Sequence, residues 1–269
     1  MSLLPQVPIR AHHQRAIDRL TAAYCHDTAY LGLIIGGSVA KGCARDDSDV
    51  DFMIVARDDE HERRVKASDV FINRRDLCDY EGGYVDGKVI SLDYLERASV
   101  SANEPTRAAF EGAFVAFSHL DGLPDLLGRI PVYQETGHEE RVRAFYSMAF
   151  IQHWLMQEAT RHNNAYTIAR AASQLALYSG RLILAHNRYL FPYHKWLVRA
   201  LEHAPQKPAG FMMSFHDLCQ RPSAKTAEAL FSPLQAFADW GVTDLEAYTW
   251  FMTDVEMAWM EGNTTLEDV

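Results

Sequence analysis

Two aspartates separated by a single valine stand at the start of an apolar run. Asp49 and Asp51 open the segment DVDFMIVA, whose composition predicts a β-strand over residues 50–56. Residues i and i+2 of a strand point to the same side, so both carboxylates converge on one face. Two such carboxylates repel each other unless a cation lies between them. Mg²⁺ suits this arrangement, because it takes one or two carboxylates together with substrate phosphates and water.

A glycine-rich turn precedes this pair. The residues LGLII, 31–35, predict a short buried strand that runs directly into Gly36, Gly37 and Ser38. The two glycines allow a tight turn and a close approach of the backbone to a ligand. A helix start predicted at residues 38–41 would add exposed N–H groups, and Ser38 would add a hydroxyl donor. The turn therefore predicts a phosphate site, and a triphosphate is its natural occupant.

The first half of the chain must position these segments, and in it short β-rich runs alternate with turns. The spacing of apolar residues predicts one helix and then several strands. The predicted elements are a helix over residues 9–28, strands over 31–35, 50–56, 69–73 and 114–122, and a hairpin over 83–95. In that hairpin, Asp86 and Gly87 form the predicted turn and KVISLDYL is the returning strand.

The pattern changes near residues 120–137, and the second half of the chain is typical of helices joined by short loops. The predicted helices cover residues 141–161, 164–187, 191–204 and, after the capping box Thr243-x-x-Glu246, a last stretch through about residue 260. We therefore expect an α+β fold. A mixed sheet with flanking helices would occupy residues 1–135, and an all-α helical bundle would occupy residues 136–269.

The charge balance argues against a nucleic acid as partner. The chain of 269 residues has a net charge of −10, whereas a protein that holds DNA or RNA normally presents a basic face. A small or cationic partner fits better. The four cysteines form no CxxC pair, and no apolar run approaches the roughly 20 residues that span a bilayer. These features predict a cytoplasmic protein with reduced thiols and no membrane partner.

The combined pattern resembles the polymerase β-like nucleotidyltransferases, in which a strand, Gly-Gly-Ser, a short spacer and Asp-x-Asp on the next strand follow one another. The matching residues are Gly36, Gly37, Ser38, Ala40, Gly42, Ser48, Asp49 and Asp51. The resemblance implies an enzyme that binds ATP or another NTP together with one or two Mg²⁺ ions. It also implies that Asp49 and Asp51 are metal-binding and catalytic residues, and that Ser48 and the glycine turn belong to the nucleotide site.

The resemblance further implies a third carboxylate on a neighbouring strand, which binds a second metal ion or acts as general base. Asp93 is the predicted residue, because it lies near the end of the apolar run KVISLDYL. Asp86 is its competitor, although the Asp-Gly setting better suits a turn. Asp76 and Asp79 lie nearby in a less clearly β segment.

In size and order, the two halves resemble the aminoglycoside and lincosamide nucleotidyltransferases, which attach a nucleoside monophosphate to an antibiotic hydroxyl. This resemblance implies transfer of AMP from ATP to a hydroxyl of a small molecule, in a cleft between the two domains. Lys195, at the start of a predicted helix, is the candidate cation of the second half for the triphosphate. Lys41 and Arg45, beside the phosphate turn, are further candidates.

Two alternatives stay open. The same chemistry would also modify a protein side chain or an RNA 3′ end, and a basic groove leading to Asp49 would favour RNA. The other alternative is a nucleotide-binding regulatory or antitoxin-like module with little turnover. The presence of Gly37, Ser38 and both Asp49 and Asp51 argues against it, because nucleotide binding alone would not require the two carboxylates.

Overall fold

The computed structural model of the protein describes residues 8–262. The chain forms two compact units, of which the first ends at Tyr133 and the second begins at Gln134. The first unit combines a sheet with helices, and the second is helical. The expected α+β fold, with a mixed sheet followed by helices, is confirmed.

The first unit contains a five-stranded mixed sheet in the order β3-β4-β2-β1-β5. Strands β2 and β4 are parallel, and the other neighbouring strands are antiparallel. The elements are α1 (Ala11–Tyr24), β1 (Tyr30–Ile35), α2 (Gly37–Ala40), β2 (Val50–Ala56), α3 (Asp58–Lys66), β3 (Phe71–Arg74), β4 (Val85–Ser91), α4 (Leu92–Ser101), α5 (Glu104–Ala109), β5 (Phe114–Ser118) and α6 (Leu123–Arg129).

Both faces of this sheet are covered, because alternate residues of β2 enter two different cores. Phe52 points to the face that packs against α1, where Leu20 is fully buried. Met53 points to the opposite face, where it joins Leu95 of α4 and residues of α6. Asp49 and Asp51 have the same parity as Met53, so they belong to the face that α4 and α6 cover farther along the strand.

The predicted hairpin over residues 83–95 is wrong. Residues Val85–Ser91 form one continuous strand, β4, which runs parallel to β2. Gly87 serves close strand packing rather than a turn, because a Cβ at this position would lie 2.5 Å from the backbone oxygen of Phe52. An Asp-Gly pair is common in tight turns, but here both residues are extended.

The end of β4 differs from the prediction as well. The hydroxyl of Ser91 accepts a hydrogen bond from the backbone N–H of Tyr94 and thereby caps α4. Asp93 consequently lies in the first turn of a helix and not in a returning strand. Helices α3, α4, α5 and α6 were not predicted, since short helices with few buried positions have little apolar periodicity.

The second unit contains six α-helices within the described residues. They are α7 (His138–Arg161), α8 (Ala165–His186), α9 (His194–His203), α10 (Phe211–Gln220), α11 (Ala224–Gln235) and α12 (Asp244–Phe251). Helix α7 packs against α8, α11 and α12. The capping box of Thr243 and Glu246 is present, but α12 gives way to a π-helical turn at Met252–Glu256 and a 3₁₀ turn at Ala258–Glu261. Helices α10 and α11 were not predicted.

Within residues 8–262 we find no helix whose length and apolarity would let it cross a membrane. All four cysteines, Cys25, Cys43, Cys78 and Cys219, are free thiols.

One buried arginine joins the helices α4, α5 and α6 of the first unit. Arg107 of α5 is 1% exposed. Its guanidinium donates hydrogen bonds to the backbone oxygens of Ala102 at 2.9 Å, Ile130 at 3.0 Å and Ser99 at 3.4 Å. These carbonyls lie at the C-terminal ends of α4 and α6, where the helix itself offers no partner. Burial lowers the pKa of Arg107, because it disfavours the charged guanidinium. The three acceptors are the groups that offset this cost.

We expect Arg107→Met to lower the free energy of unfolding by about 3 kcal/mol, because it removes three buried hydrogen bonds from the guanidinium group to backbone oxygens. Urea denaturation followed by circular dichroism measures this change. Arg129→Met is the matched control, since Arg129 is exposed, and it should change the free energy by less than about 0.5 kcal/mol. Equal stability of the two variants would contradict the role assigned to Arg107.

Candidate active site

The glycine turn is joined directly to β2. The backbone N–H of Gly36 donates a hydrogen bond to the carbonyl of Asp51 at 2.9 Å. Gly37 has a φ of +62°, in the left-handed region that favours glycine. A Cβ at Gly37 would lie 1.7 Å from Oδ2 of Asp51. Only a glycine therefore allows the Asp51 carboxylate to lie against the backbone of this turn.

A single helical turn, α2, follows at Gly37–Ala40, as predicted from the sequence. Ser38 is half-buried in this turn. The first N–H groups of a helix have no partner within the helix and attract anions. The turn thus has the backbone form that a phosphate group requires, and phosphate binding by Gly36, Gly37 and Ser38 stays a prediction.

Three carboxylates meet at one end of β2 and β4. Asp51 is paired with Asp86 in the parallel register of these strands. Paired residues on neighbouring strands point to the same face and are about 4.8 Å apart. Asp49 precedes Asp51 by two residues and shares its side of the strand. The third acidic residue beside the predicted pair is therefore Asp86.

The electrostatics of these groups agree with their proximity. Burial raises the pKa of Asp86, and the charge of Asp49 raises it further, while a hydrogen bond from Asn73 opposes the change. The pKa of Tyr84 is also raised, chiefly because its hydroxyl donates a hydrogen bond to Asp49. The charges of Asp86 and Asp51 add to this effect. The three carboxylates thus concentrate negative charge in a partly buried place, which favours a cation.

The side chains present fit a magnesium ion. Oδ1 of Asp86 is buried and has no hydrogen-bond partner within residues 8–262, which is costly for a carboxylate oxygen. In that range no group of three or more His, Cys, Asp or Glu side chains could hold a metal ion. Mg²⁺ does not need one, because it completes its shell with substrate phosphates and water. Asp49 and Asp51 are the residues that would hold the ion, and Asp86, paired with Asp51 across the strands, would accept a proton or bind a second ion.

The structure does not bring Asp93 to Asp49 and Asp51. Strand β4 runs in the same direction as β2, and its last residue, Ser91, is opposite Ala56 at the far end of β2. Asp93 lies beyond that end and forms an exposed ion pair of 2.9 Å with Arg97. The prediction that Asp93 is the third carboxylate is therefore wrong in its geometry, because the start of a parallel strand, and not its end, adjoins Asp49.

Asp76 and Asp79, the other acidic candidates, are engaged elsewhere. Asp76 is ion-paired with Arg74, whose hydrogen bonds lower the pKa of Asp76. Asp79 is paired with Arg15 at 2.8 Å and with Arg19 at 3.0 Å. Both acids therefore stabilise the segment between β3 and β4.

Lys41 attaches the phosphate turn to α5. Its Nζ donates a hydrogen bond to the backbone oxygen of Ala108 at 2.9 Å and lies 3.5 Å from the carboxylate of Glu111. Burial raises the pKa of Glu111, and the ammonium group of Lys41 opposes this change. The pair holds residue 41 against the end of α5, and a role for Lys41 in binding phosphate stays a prediction.

Ser48 and Arg45 shape the turn that leads to Asp49. The hydroxyl of Ser48 accepts a hydrogen bond from the backbone N–H of Arg45 at 2.8 Å. The exposed guanidinium of Arg45 pairs with Asp47 at 3.0 Å. In the second unit, Lys195 is exposed in the first turn of α9. Nucleotide binding by Ser48, Arg45 and Lys195 stays a prediction.

Sequence reasoning missed Tyr84 and assigned Asp86 to a turn. The i, i+2 spacing that indicates the pairing of Asp49 and Asp51 also relates Tyr84 to Asp86. An apolar stretch with β-branched residues follows this second pair too. The start of β4 therefore repeats the pattern of the start of β2, and this repetition is the signal that identifies Asp86.

An acidic site at the start of two parallel strands, beside a glycine turn on a mixed sheet, is the arrangement that the sequence resemblance implied. Residues 27–112, from the turn before β1 to the turn after α5, match the family described as nucleotidyltransferase domain. Over these residues the first unit matches a nucleotidyltransferase domain, which supports the resemblance to the polymerase β-like superfamily.

One solved structure similar to this chain is a nucleotidyltransferase-like protein from Exiguobacterium sibiricum 255-15. The two share 11% sequence identity with a TM-score of 0.49, over 95% of this chain and 83% of the other. Among curated proteins, none matches the chain.

We expect Gly37→Ala to abolish binding of a metal–nucleotide complex, because the new Cβ would displace the carboxylate of Asp51. Binding of Mn²⁺ with a fluorescent ATP analogue measures the loss. Gly241→Ala is the matched control, since Gly241 has a similar φ of +65° and a Cβ there would meet no atom within 4 Å. Both variants should lose about 1 to 2 kcal/mol of stability through backbone strain. Normal nucleotide binding by Gly37→Ala would contradict the assignment of the glycine turn and Asp51 to the nucleotide site.

Proposed function

We propose that the protein is a Mg²⁺-dependent enzyme that transfers a nucleoside monophosphate, AMP from ATP, to a hydroxyl group of a small molecule. The observation that carries the proposal is the meeting of Asp49, Asp51 and Asp86 beside a glycine turn that only glycine can form. Metal-binding carboxylates and a phosphate turn in one place are the two requirements for activating a triphosphate.

Each group of residues has a separate role in the proposed reaction. Asp49 and Asp51 would hold one or two Mg²⁺ ions, which stabilise negative charge on the entering and leaving oxygens of a phosphoryl displacement. The backbone of Gly37 and the hydroxyl of Ser38 would bind the phosphates and keep the α-phosphorus in place. Asp86 takes the role that the resemblance implied for Asp93.

The proton of the acceptor hydroxyl needs a base. Asp86 suits this role because burial and the charge of Asp49 raise its pKa, which makes it a better proton acceptor than an ordinary aspartate. The acceptor oxygen forms a bond to the α-phosphorus while the bond from that phosphorus to the bridging oxygen breaks. The proton goes to the carboxylate of Asp86, and pyrophosphate leaves.

Charge supports a small acceptor over a nucleic acid. The net charge of −10 offers little attraction to a polynucleotide, whereas a cationic, aminoglycoside-like acceptor would be attracted. Lys195 of the second unit is proposed as a cation for the triphosphate because it is exposed in the first turn of α9. Its position suits an anion, since the N-terminal end of a helix favours negative charge.

Incubation with α-labelled ATP and Mg²⁺ against a panel of hydroxyl-bearing amines and antibiotics tests the proposal. We expect label on a small acceptor and release of pyrophosphate. The double variant Asp49→Ala, Asp51→Ala should fold normally and lose both products, because it lacks the metal ligands. Label found only on protein or on RNA would show that the acceptor is a macromolecule and not a small molecule. Tight ATP binding without any labelled product would favour a regulatory module.

A pair of matched substitutions identifies the third carboxylate. We expect Asp86→Asn to lower the turnover number by at least about 100-fold, the usual effect of losing a general base. Asp93→Asn should retain wild-type turnover, since Asp93 only pairs with Arg97 at the surface. Without metal, Asp86→Asn should unfold at no lower temperature than the wild type, because ionised Asp86 is disfavoured by burial and by Asp49. Loss of activity in Asp93→Asn alone would reverse the assignment.

A further inference from the structure

The carbonyl group just before Asp49 is held by two side chains from other parts of the first unit. Nε2 of His13, on α1, lies 3.1 Å from the backbone oxygen of Ser48. The hydroxyl of Tyr80, in the segment before β4, donates a hydrogen bond to the same oxygen at 2.8 Å. We call His13, Tyr80 and the Ser48 carbonyl the Ser48 clamp.

The clamp is a packed assembly and not a chance surface contact. His13 has no exposed surface. Its ring meets that of Tyr80 edge to face, with centroids 5.3 Å apart and an interplanar angle of 84°. His12 lies against both rings, at 4.2 Å from His13 and 4.5 Å from Tyr80. The three rings therefore fix each other's orientation, and the two donors approach Ser48 from fixed positions.

Both donors are in the protonation state that the clamp needs. Because a carbonyl only accepts hydrogen bonds, His13 must carry its proton on Nε2. Burial lowers the pKa of His13, with a further contribution from His12, and so favours the neutral ring. Burial also raises the pKa of Tyr80 well above its ordinary value, so its hydroxyl keeps its proton.

Two donors occupy both lone pairs of one carbonyl oxygen, and this fixes the plane of the peptide bond between Ser48 and Asp49. The orientation of that plane sets the position of the Cα of Asp49, and hence the point from which its carboxylate extends. Tyr84 lies close to that carboxylate, whose interaction with the Tyr84 hydroxyl raises the pKa of Tyr84. Asp49 is thus oriented through its backbone, by the two donors at the Ser48 carbonyl.

We propose that His13 and Tyr80 are positioning residues, which act through the Ser48 carbonyl to hold the carboxylate of Asp49 ready for its metal ion. The inference rests on the proposed function, since it assigns the clamp to the same site. Groups that orient metal ligands typically change metal affinity by 10- to 100-fold when they are removed. A clamp that served only to stabilise the fold would change the unfolding temperature and leave metal affinity unaltered.

Tyr80→Phe tests this distinction, because it keeps the ring that packs on His12 and His13 and removes only the hydroxyl. The probe is Mn²⁺ with the non-transferable analogue α,β-methylene-ATP, and paramagnetic resonance gives the Kd of the metal. We expect Tyr80→Phe to raise this Kd by about tenfold. Tyr166→Phe is the control, because Tyr166 is 77% exposed on the second unit, and it should leave the Kd unchanged.

Substitutions at the other donor provide a second measurement. His13→Gln keeps an N–H donor on a side chain of similar length, whereas His13→Leu removes it. We expect His13→Gln to bind Mn²⁺ more tightly than His13→Leu. If His13→Leu does not fold, the comparison of Tyr80→Phe with the wild type decides alone.

The outcomes separate the two proposals. A wild-type protein that binds no Mn²⁺ with the analogue overturns the metal site, and the proposed function fails with it. A wild type that binds Mn²⁺ and a Tyr80→Phe variant that binds it equally well overturn only the positioning role. A lower unfolding temperature of Tyr80→Phe with unchanged Kd would show that the clamp is structural.

Discussion

The parallel pairing of β2 with β4 is the constraint on which the candidate site depends. It sets Asp86 beside Asp51. Because the two strands start together, both acidic residues lie at the same end of the strands. An antiparallel β4 would carry Asp86 to the other end, as the predicted hairpin implied. The chain achieves the parallel pairing through α3 and β3, which lie between the two strands in sequence.

Carboxylates that converge without a cation repel one another, so the surrounding structure must hold them in place. The supports come from separate elements. The backbone of Gly36 bonds to that of Asp51, and the Ser48 clamp holds the residue before Asp49. Lys41 fastens the end of the phosphate turn to α5. These contacts keep the carboxylates close through bonds that do not themselves neutralise their charge.

The sequence alone predicts the part of the site that depends on local spacing. Asp49 and Asp51 share a side because strands alternate, and the glycine turn follows from residue type. Asp86 was assigned to a turn because the pair Asp-Gly is common in hairpin turns. Its partner across the strands, Asp51 of β2, precedes it by 35 residues in the sequence. Strand pairing across such a separation is a tertiary property. The Ser48 clamp is equally non-local, since it joins α1 to the segment before β4.

The arrangement around Asp86 also bears on whether the protein turns over its nucleotide. A buried carboxylate oxygen without a partner in residues 8–262, next to another negative charge, destabilises the folded state. A module that only bound nucleotide would be more stable with a neutral side chain there, because phosphates are held by backbone N–H groups and cations. A third carboxylate is useful when a second ion must be held or a proton must be accepted. Asp86 therefore adds a further argument for an enzyme over a binding module to the one that Asp49 and Asp51 provide.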